Sequence, residues 1–561
     1  MNSITKVKNY FTNYFTNYLA NYLAPLIVAA GCGAAPASPS ASDFNLAEIR
    51  IGNEAGREAY LNVSSGDTVT LTFSARVAVE SIAANIILKQ AEKTIPIAVN
   101  HDGNPVLKIS LSSLQPYTGY TLTVNTGLKS ESGAAMLAEK SLSVATGDDV
   151  PDKFERISDE ALLDLVQRQT FRYFWDFGHP VSGLARERTS SGDMVTSGGS
   201  GFGLMALLAG IERGFITREE GLTRFTKIVD FLQSKAETFH GAFPHWLNGS
   251  TGKAQFFSPD DNGGDLVETA YLIQGLLAVK EYFKAGASAQ EVSLCSAIRT
   301  IWENVEWDWY RQNGQNALFW HWSADKGWKM NMRITGWNEC LIVYVLAASS
   351  PTHSIPKAVY DEGWARSGAI RNGSSYHSVR LPLGEDRGGP LFFAHYSFLG
   401  LNPHKVSDQY ADYWEQNVAH ATINYRHCVA NPKGYAGYGA GSWGLTASDI
   451  PNGYTASSPT NDVGTIAPTA ALASFPYTPD ESMAALHFFY YKLGDKLWTQ
   501  YGFRDAFNLS KSWFAADHLA IDQGPIVVMI ENYRTGLLWN LFMAIPEIRK
   551  GLEELEFTVR D

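Results

Sequence analysis

Cysteine is scarce in these 561 residues: Cys32, Cys295, Cys340 and Cys428 stand far apart, with no CxxC pair. Neither a disulfide framework nor a zinc site can be read from such spacing. Charge is also thin, at 18% of residues, while 45% are apolar. That balance supports a sizeable core and excludes wholesale disorder. Basic residues are outnumbered, 45 Lys+Arg against 57 Asp+Glu, for a net charge of −12. With no basic stripe to offset it, a nucleic-acid backbone is excluded as an expected partner. What is abundant is aromatic surface: 15 Trp, 26 Tyr and 29 Phe.

The first 32 residues read as an address. Lys6 and Lys8 precede an Asn-interrupted stretch and then Leu26-Ile27-Val28-Ala29-Ala30-Gly31-Cys32. This run is too short and too interrupted to span a bilayer as a mature helix. Small residues before a cysteine resemble a bacterial lipoprotein signal, and a Pro/Ser/Ala-rich tether over 33–43 follows. Cys32 would then carry a lipid, the only membrane contact expected. A plain cleaved secretory signal is the alternative. Either form sends the chain out of the cytoplasm, to the periplasm or cell envelope.

From 44 to 147 the pattern has period two, as in Thr68-Val69-Thr70-Leu71-Thr72-Phe73 and Tyr120-Thr121-Leu122-Thr123-Val124, with Gly66-Asp67 and Asp102-Gly103 as punctuation. About a hundred such residues predict an antiparallel Ig-like β-sandwich without helices. It holds no catalytic cluster and reads as a spacer or accessory module, with glycan binding as the alternative.

After Asp148 to Asp152 the period changes. Leu163, Val166, Thr170, Phe174 and Phe177 share one face of a helix opened by Ser158 and Glu160. Further helical stretches are predicted near 202–213, 217–236, 265–283, 289–307, 337–348, 406–428, 481–493 and 526–544. Ten to twelve helices with long loops over 152–561 suggest an all-α (α/α)₆ toroid.

Three acidic segments run into helices. In Asp260-Asp261-Asn262-Gly263-Gly264-Asp265-Leu266-Val267-Glu268, intervals of four and three would set Asp261, Asp265 and Glu268 along one side of a helix, away from the apolar face. Such a row suits a catalytic cleft, but Asp265 three before Glu268 also imitates a capping box. Calcium is a further reading, although the full calcium-loop spacing is missing. In the second segment, Arg333 to Glu339 lies just after Trp320-His321-Trp322. A carboxyl among tryptophans is a candidate general acid, because desolvation raises its pKa. Glu339 could instead be a helix-start residue paired with Arg333. In the third, Asp522-Gln523-Gly524-Pro525 would form a loop with Pro525 in the first turn of the next helix. Asp522 could simply cap, and Glu531 could bridge to Arg534. Around these segments His245, Trp246, Trp320, His321, Trp337, Tyr435 and Trp443 are candidate sugar contacts, since flat aromatics suit the C–H faces of sugar rings.

The segments SPDDNGGDLVETAYL, RITGWNECLIVYVLAASSPTH, GGPLFFAHYSFLGLNP, WGLTASDIPNGY, YGFRDAFNL and AIDQGPIVVMIENYRTGLLW, in that order, resemble the family long labelled glucoamylase-like. That family includes glycoside hydrolase family 144, the bacterial β-1,2-glucanases. The resemblance covers about 155–547. It implies an (α/α)₆ barrel and inverting hydrolysis of β-1,2-glucan, endo-acting or sophorose-releasing. It puts family carboxylates on Asp261, Asp265, Glu268 and Glu339, and another cleft acid on Asp522.

Inversion needs a protonated carboxyl on the leaving oxygen and a carboxylate activating water from the opposite face, roughly 6.5–9.5 Å apart. The acid expected is Glu339. The base expected is Asp265, with Asp261, Glu268 or Asp522 as alternatives. Arg333, Gln523 and Glu531 complete the expected substrate contacts. No metal or cofactor is required, and a monomer is expected. A non-catalytic surface glycan-binding lipoprotein, a polysaccharide lyase and a glucoamylase-type α-glucan hydrolase are the alternatives.

Overall fold

The computed structural model describes residues 43–560 apart from 58, 65, 91, 102, 113, 148–150 and 287. The expected signal segment with Cys32, and residues 33–42 of the expected linker, lie outside the described residues.

The first region is a two-sheet sandwich. Its strands are β1 (Leu46–Ile51), β2 (Glu54–Ala55), β3 (Ala59–Val63), β4 (Thr68–Phe73), β5 (Ile86–Gln90), β6 (Lys93–Ile95), β7 (Val99–His101), β8 (Val106–Ser110), β9 (Gly119–Val124) and β10 (Lys140–Thr146). One sheet runs β2-β1-β4-β8-β7 and the other β3-β10-β9-β5-β6. The period-two pattern has its expected result: Val69, Leu71 and Phe73 of β4 and Tyr120, Leu122 and Val124 of β9 all point into the core. Two details depart from expectation. β3 and β10 pair in parallel, and a helical turn over Val79–Asn85 precedes β5. The sandwich touches the second region where Gly119 N–H donates to Ser512 Oγ at 2.6 Å.

The second region carries twelve α-helices of five or more residues among its described residues. They are α1 (Asp159–Trp175), α2 (Ser197–Glu212), α3 (Arg218–Ser234), α4 (Leu266–Phe283), α5 (Ala289–Glu303), α6 (Leu341–Ser349), α7 (Tyr413–Ala430), α8 (Pro468–Leu472), α9 (Pro479–His487), α10 (Ala520–Thr535), α11 (Leu537–Met543) and α12 (Pro546–Glu554). Outer helices are amphipathic; α3 and α5 each start on a reciprocal capping box. The inner helices α2, α4, α6 and α10 are apolar almost all round and largely buried, as helices enclosed by others must be. Helix α2 can sit against α4 only because glycine meets glycine there. A Cβ on Gly201 would lie 2.1 Å from the Tyr271 carbonyl oxygen, and one on Gly275 would lie 2.2 Å from that of Gly201.

Several predicted boundaries move, each for a local reason. The stretch predicted from 406 becomes helical only at Tyr413, because Asp408 Oδ1 accepts from Tyr410 and Ala411 N–H in a turn and Asp412 then caps α7. The stretch predicted from 337 starts at Leu341, since Asn338 Oδ1 accepts from Cys340 N–H and holds a turn. The segment 520–525 is not a loop: α10 begins at Ala520, leaving Pro525 inside the helix. The helix predicted through 544 is cut at Gly536, whose φ of +71° ends α10 and starts α11. Helices α8 and α12 were not predicted, α8 because it spans only five residues.

Candidate active site

The N-terminal ends of α2, α4, α6 and α10 converge on one hollow of about 790 Å³, part of it open to solvent. Thr196 reaches it from the start of α2, Val267 and Glu268 from α4, Glu339 from just before α6, and Leu519 and Ile521 from α10. Its flat walls include Trp246, Phe257, Trp320 and Tyr454. Helix N-termini point unsatisfied N–H groups and positive dipole ends into such a space.

The acids near α4 come together through a turn and a cap. Asp261 lies outside the helix, in a turn where its N–H donates to Ser258 and its carbonyl accepts from Phe257. Asp265, expected as the base, is the N-cap, with no exposed surface. Its Oδ1 accepts from Val267 and Glu268 N–H at 2.9 Å each. Its Oδ2 accepts from Trp320 Nε1 at 3.0 Å and His245 Nδ1 at 2.9 Å. With both oxygens engaged by donors and none on the cavity wall, Asp265 is an anchor for the site and not a group that faces water. The single helical row is thereby corrected: of the three acids, only Glu268 lines the hollow.

Glu268 Oε2 accepts from Gly198 N–H at 2.8 Å and Thr196 Oγ1 at 3.3 Å. Its Oε1 stands 3.9 Å from His245 Nε2. Burial, helped by the Asp265 charge, leaves its pKa above the ordinary carboxylate value, although the His245 charge and the Gly198 and Thr196 hydrogen bonds pull it back. For His245 burial pulls the other way, toward the neutral ring. The charges of Glu268, Asp265 and Asp261 override that pull and lift it to about 9, so it is an imidazolium at neutral pH. Asp261 is pushed up to about 7 by burial and the Asp265 charge, and its Oδ2 has no hydrogen-bond partner.

Glu339 is 7% exposed, on the cavity wall. Burial lifts it to about 8; its own N–H lowers it, and Glu268 and Asp265 add to the rise. The opposition between desolvation and a helix start is thus resolved in favour of desolvation. Its carbonyl is held by Ser397 Oγ and Tyr271 OH, so the backbone carrying the carboxyl is fixed. Arg333 does not pair with it: that guanidinium bonds Gln315 and lies over the Phe319 ring.

Of the expected sugar contacts, His245, Trp246 and Trp320 line the hollow. The others do not. Trp337 is buried, donating to His420 Nδ1 at 3.3 Å. Trp443 is fully buried and donates to the Glu481 carbonyl at 3.0 Å. Tyr435 bonds the Asp462 carbonyl at 3.2 Å and packs on Tyr438. Gln523 donates to the Tyr501 carbonyl at 2.6 Å. Glu531 lies toward the far end of α10, paired with Arg213 at 2.7 Å and not with Arg534. His321 is buried beneath Asp261, its Nε2 accepting from Gly263 N–H at 2.9 Å, and burial drops it to about 4. Asp522 is 2% exposed, behind the wall formed by its neighbour Ile521.

One lining carboxylate was not foreseen. Glu187 sits on the wall with both oxygens on Arg188 Nε, at 2.9 and 3.0 Å, while Arg188 Nη1 holds Asp449 at 3.0 and 3.2 Å. In sequence, Arg186-Glu187-Arg188 looks like a solvated charge cluster. The only hint was the glycine-rich helix start that follows it. A cation could be considered at His245, Asp261 and Asp265, whose ligand atoms lie within 4.8 Å of one another. The residues do not fit one well: His245 Nδ1 and Asp265 Oδ2 are bonded to each other, and the imidazolium already supplies the positive charge.

A helical domain whose buried helix N-termini gather carboxylates and flat rings around a sugar-sized hollow has the build of a glycoside hydrolase. The comparisons agree. A family model described as "Putative glucoamylase" matches residues 331–546, and one for a bacterial Ig-like domain matches 56–146. The chain belongs to the glucoamylase-like family of the glycoside hydrolase 144 type, with a bacterial Ig-like domain before the helical one. It is 54% identical to an endo-β-1,2-glucanase from Chitinophaga pinensis, solved with sophorotriose and glucose, over 72% of this chain and 99% of that one, with a TM-score of 0.70. A β-1,2-glucanase structure from Parabacteroides distasonis is 40% identical over 93% of this chain and 74% of that one, with a TM-score of 0.69. An exo β-1,2-glucooligosaccharide sophorohydrolase (non-reducing end) from the same species is 50% identical over 422 residues, 71% of this chain; the match spans 58% of that relative's length.

Proposed function

We propose that the chain hydrolyses β-1,2-glucan with inversion, using Glu339 as general acid and Glu268 as general base. The observation that carries this reading is the pair of carboxyls on one aromatic-walled hollow with unequal surroundings. Glu339 has no cation against it among the described residues and stays protonated to about pH 8. Glu268 has the His245 imidazolium and the Gly198 N–H beside it, which favour the anion. That division is what acid and base require. Asp265 holds His245 and the start of α4 in place, and the Arg188-bound Glu187 accepts sugar hydroxyls. The relatives named as β-1,2-glucan enzymes support the substrate. The twelve helices support an (α/α)₆ toroid. Incubation with β-1,2-glucan beside starch and laminarin, followed by chromatography of the products, tests the substrate: oligosaccharides should appear from β-1,2-glucan alone. Glucose released from starch would point to the glucoamylase-type reaction instead.

The same reading has the chain exported and lipid-anchored through Cys32, acting as a monomer. Incorporation of labelled palmitate that is lost in Cys32→Ala tests the anchor, and sedimentation tests the monomer.

A further inference from the structure

Glu187 faces the hollow beside an arginine that does not. Arg188 is buried, yet its guanidinium, charged at any pH the fold meets, holds two carboxylates. Its Nε donates to both oxygens of Glu187 at 2.9 and 3.0 Å, and its Nη1 to both oxygens of Asp449 at 3.0 and 3.2 Å. These bonds join three wall segments that are distant in the chain. The main chain at Glu187 and Arg188 is fastened to the start of α10: the Glu187 carbonyl accepts from Ala520 N–H at 3.0 Å, and Arg188 forms a β-bridge with Leu519. Asp449 belongs to the hairpin Ala447–Ile450/Gly453–Ala456, where Tyr454 stands directly opposite it. Its N–H donates to Asp505 Oδ2 at 2.7 Å. Opposed residues of an antiparallel pair share one face. The ion pair of Asp449 with Arg188 thus fixes the face of the hairpin that carries Tyr454, whose ring lines the hollow.

We propose that Asp449 is a positioning residue for substrate binding: through Arg188 it sets the Glu187 carboxylate and the Tyr454 ring in register on the wall. Asp449 does not line the hollow itself. The two groups it sets suit a glucose residue, the ring covering a C–H face and the carboxylate accepting from hydroxyls at the edge. A carboxylate has about four lone-pair sites. Glu187 gives two of them to Arg188 Nε, which leaves others for sugar hydroxyls. Without Asp449 the buried guanidinium keeps a single anionic partner and is free to turn, taking the Glu187 carboxylate with it. The hairpin would lose its side-chain tie to the segment that carries Glu187, so Tyr454 and Glu187 would no longer hold one spacing.

This inference rests on the hydrolase reading for its kinetic consequence, but not for the tie between the wall segments. In the full-length chain, Asp449→Ala should raise KM for β-1,2-glucooligosaccharides about tenfold, the worth of a hydrogen bond to a charged group. Its kcat should stay near wild type, because Glu339 and Glu268 keep their surroundings. Asp449→Asn keeps an oxygen for Arg188 Nη1 and should recover most of the loss in KM. Amide hydrogen exchange over 447–456 and 519–521 should quicken in Asp449→Ala and stay close to wild type in Asp449→Asn. If Asp449→Ala does not fold, Arg188→Lys replaces it. That variant keeps the charge but loses the planar fork that reaches both carboxylates, so KM should again rise and both segments exchange faster. An unchanged KM in the variant that folds, or an Asp449→Asn no better than Asp449→Ala, would overturn the positioning role. If wild type cleaves no β-1,2-glucan, the hydrolase reading fails, and the exchange still decides the tie: unaltered rates overturn it, and faster rates in both segments uphold it.

Discussion

His245 donates from Nδ1 to Asp265 Oδ2 at 2.9 Å. That bond fixes the ring so that its other nitrogen looks toward Glu268. The buried N-cap of α4 thus serves two ends: it starts the helix and holds a positive charge beside a cavity carboxylate.

Replacing His245 with Gln should remove that charge and let the Glu268 pKa climb. The acid limb of the kcat/KM profile should then move to higher pH. Stability should respond with a definite sign. His245 is held at about 9 when folded, above its unfolded value, so its contribution is fully present below the unfolded pKa and is lost as pH rises through 9. At pH 6 the contribution is on the order of 3 kcal/mol. Urea denaturation of wild type and variant at pH 6 and 9.5 checks this: the gap should narrow at the higher pH.

Glu339→Gln should keep the fold and lower kcat on unactivated glucan by about 10²–10⁴-fold, the usual worth of general-acid help. An aryl glycoside with a good leaving group should suffer less. In wild type the alkaline limb of kcat should fall as pH rises through about 8, where Glu339 loses its proton. The same raised carboxyl costs the fold stability as pH climbs toward that value, so Glu339→Gln should melt above wild type at pH 8.5. Scanning calorimetry and stopped assays decide both.

Gly198→Ala should be an activity defect. Its Cβ would lie 2.5 Å from Glu268 Oε2, displacing that carboxylate from the Gly198 N–H. Gly201→Ala meets the backbone of α4 instead, and should cost about 1–3 kcal/mol or more, as overpacking does. Comparing melting temperature with kcat separates the two: Gly201→Ala should lose chiefly the first, Gly198→Ala chiefly the second.

The sandwich was legible because Val69-Leu71-Phe73 and Tyr120-Leu122-Val124 alternate without interruption. The long helices were legible from the 3.6 period and from helix-start residues such as Ser158. What misled were positions where a side chain replaces the helix locally. Asn338 and Asp408 hold turns that periodicity cannot register, and Gly536 breaks an apolar run that looks continuous. In the site, Glu268, Glu339, His245, Trp246 and Trp320 were legible because helix starts gather at one place. Trp337 and Trp443 were not, because an aromatic looks the same in sequence whether its indole N–H meets a sugar or another residue. Glu187 was hidden between two arginines.

The configuration of the first product tests the central claim most directly. Proton NMR of β-1,2-glucan cleavage, followed from the first minutes before mutarotation, should show the new reducing end appearing as the α-anomer, as water activated by Glu268 opposite Glu339 requires. Appearance of the β-anomer first would contradict it.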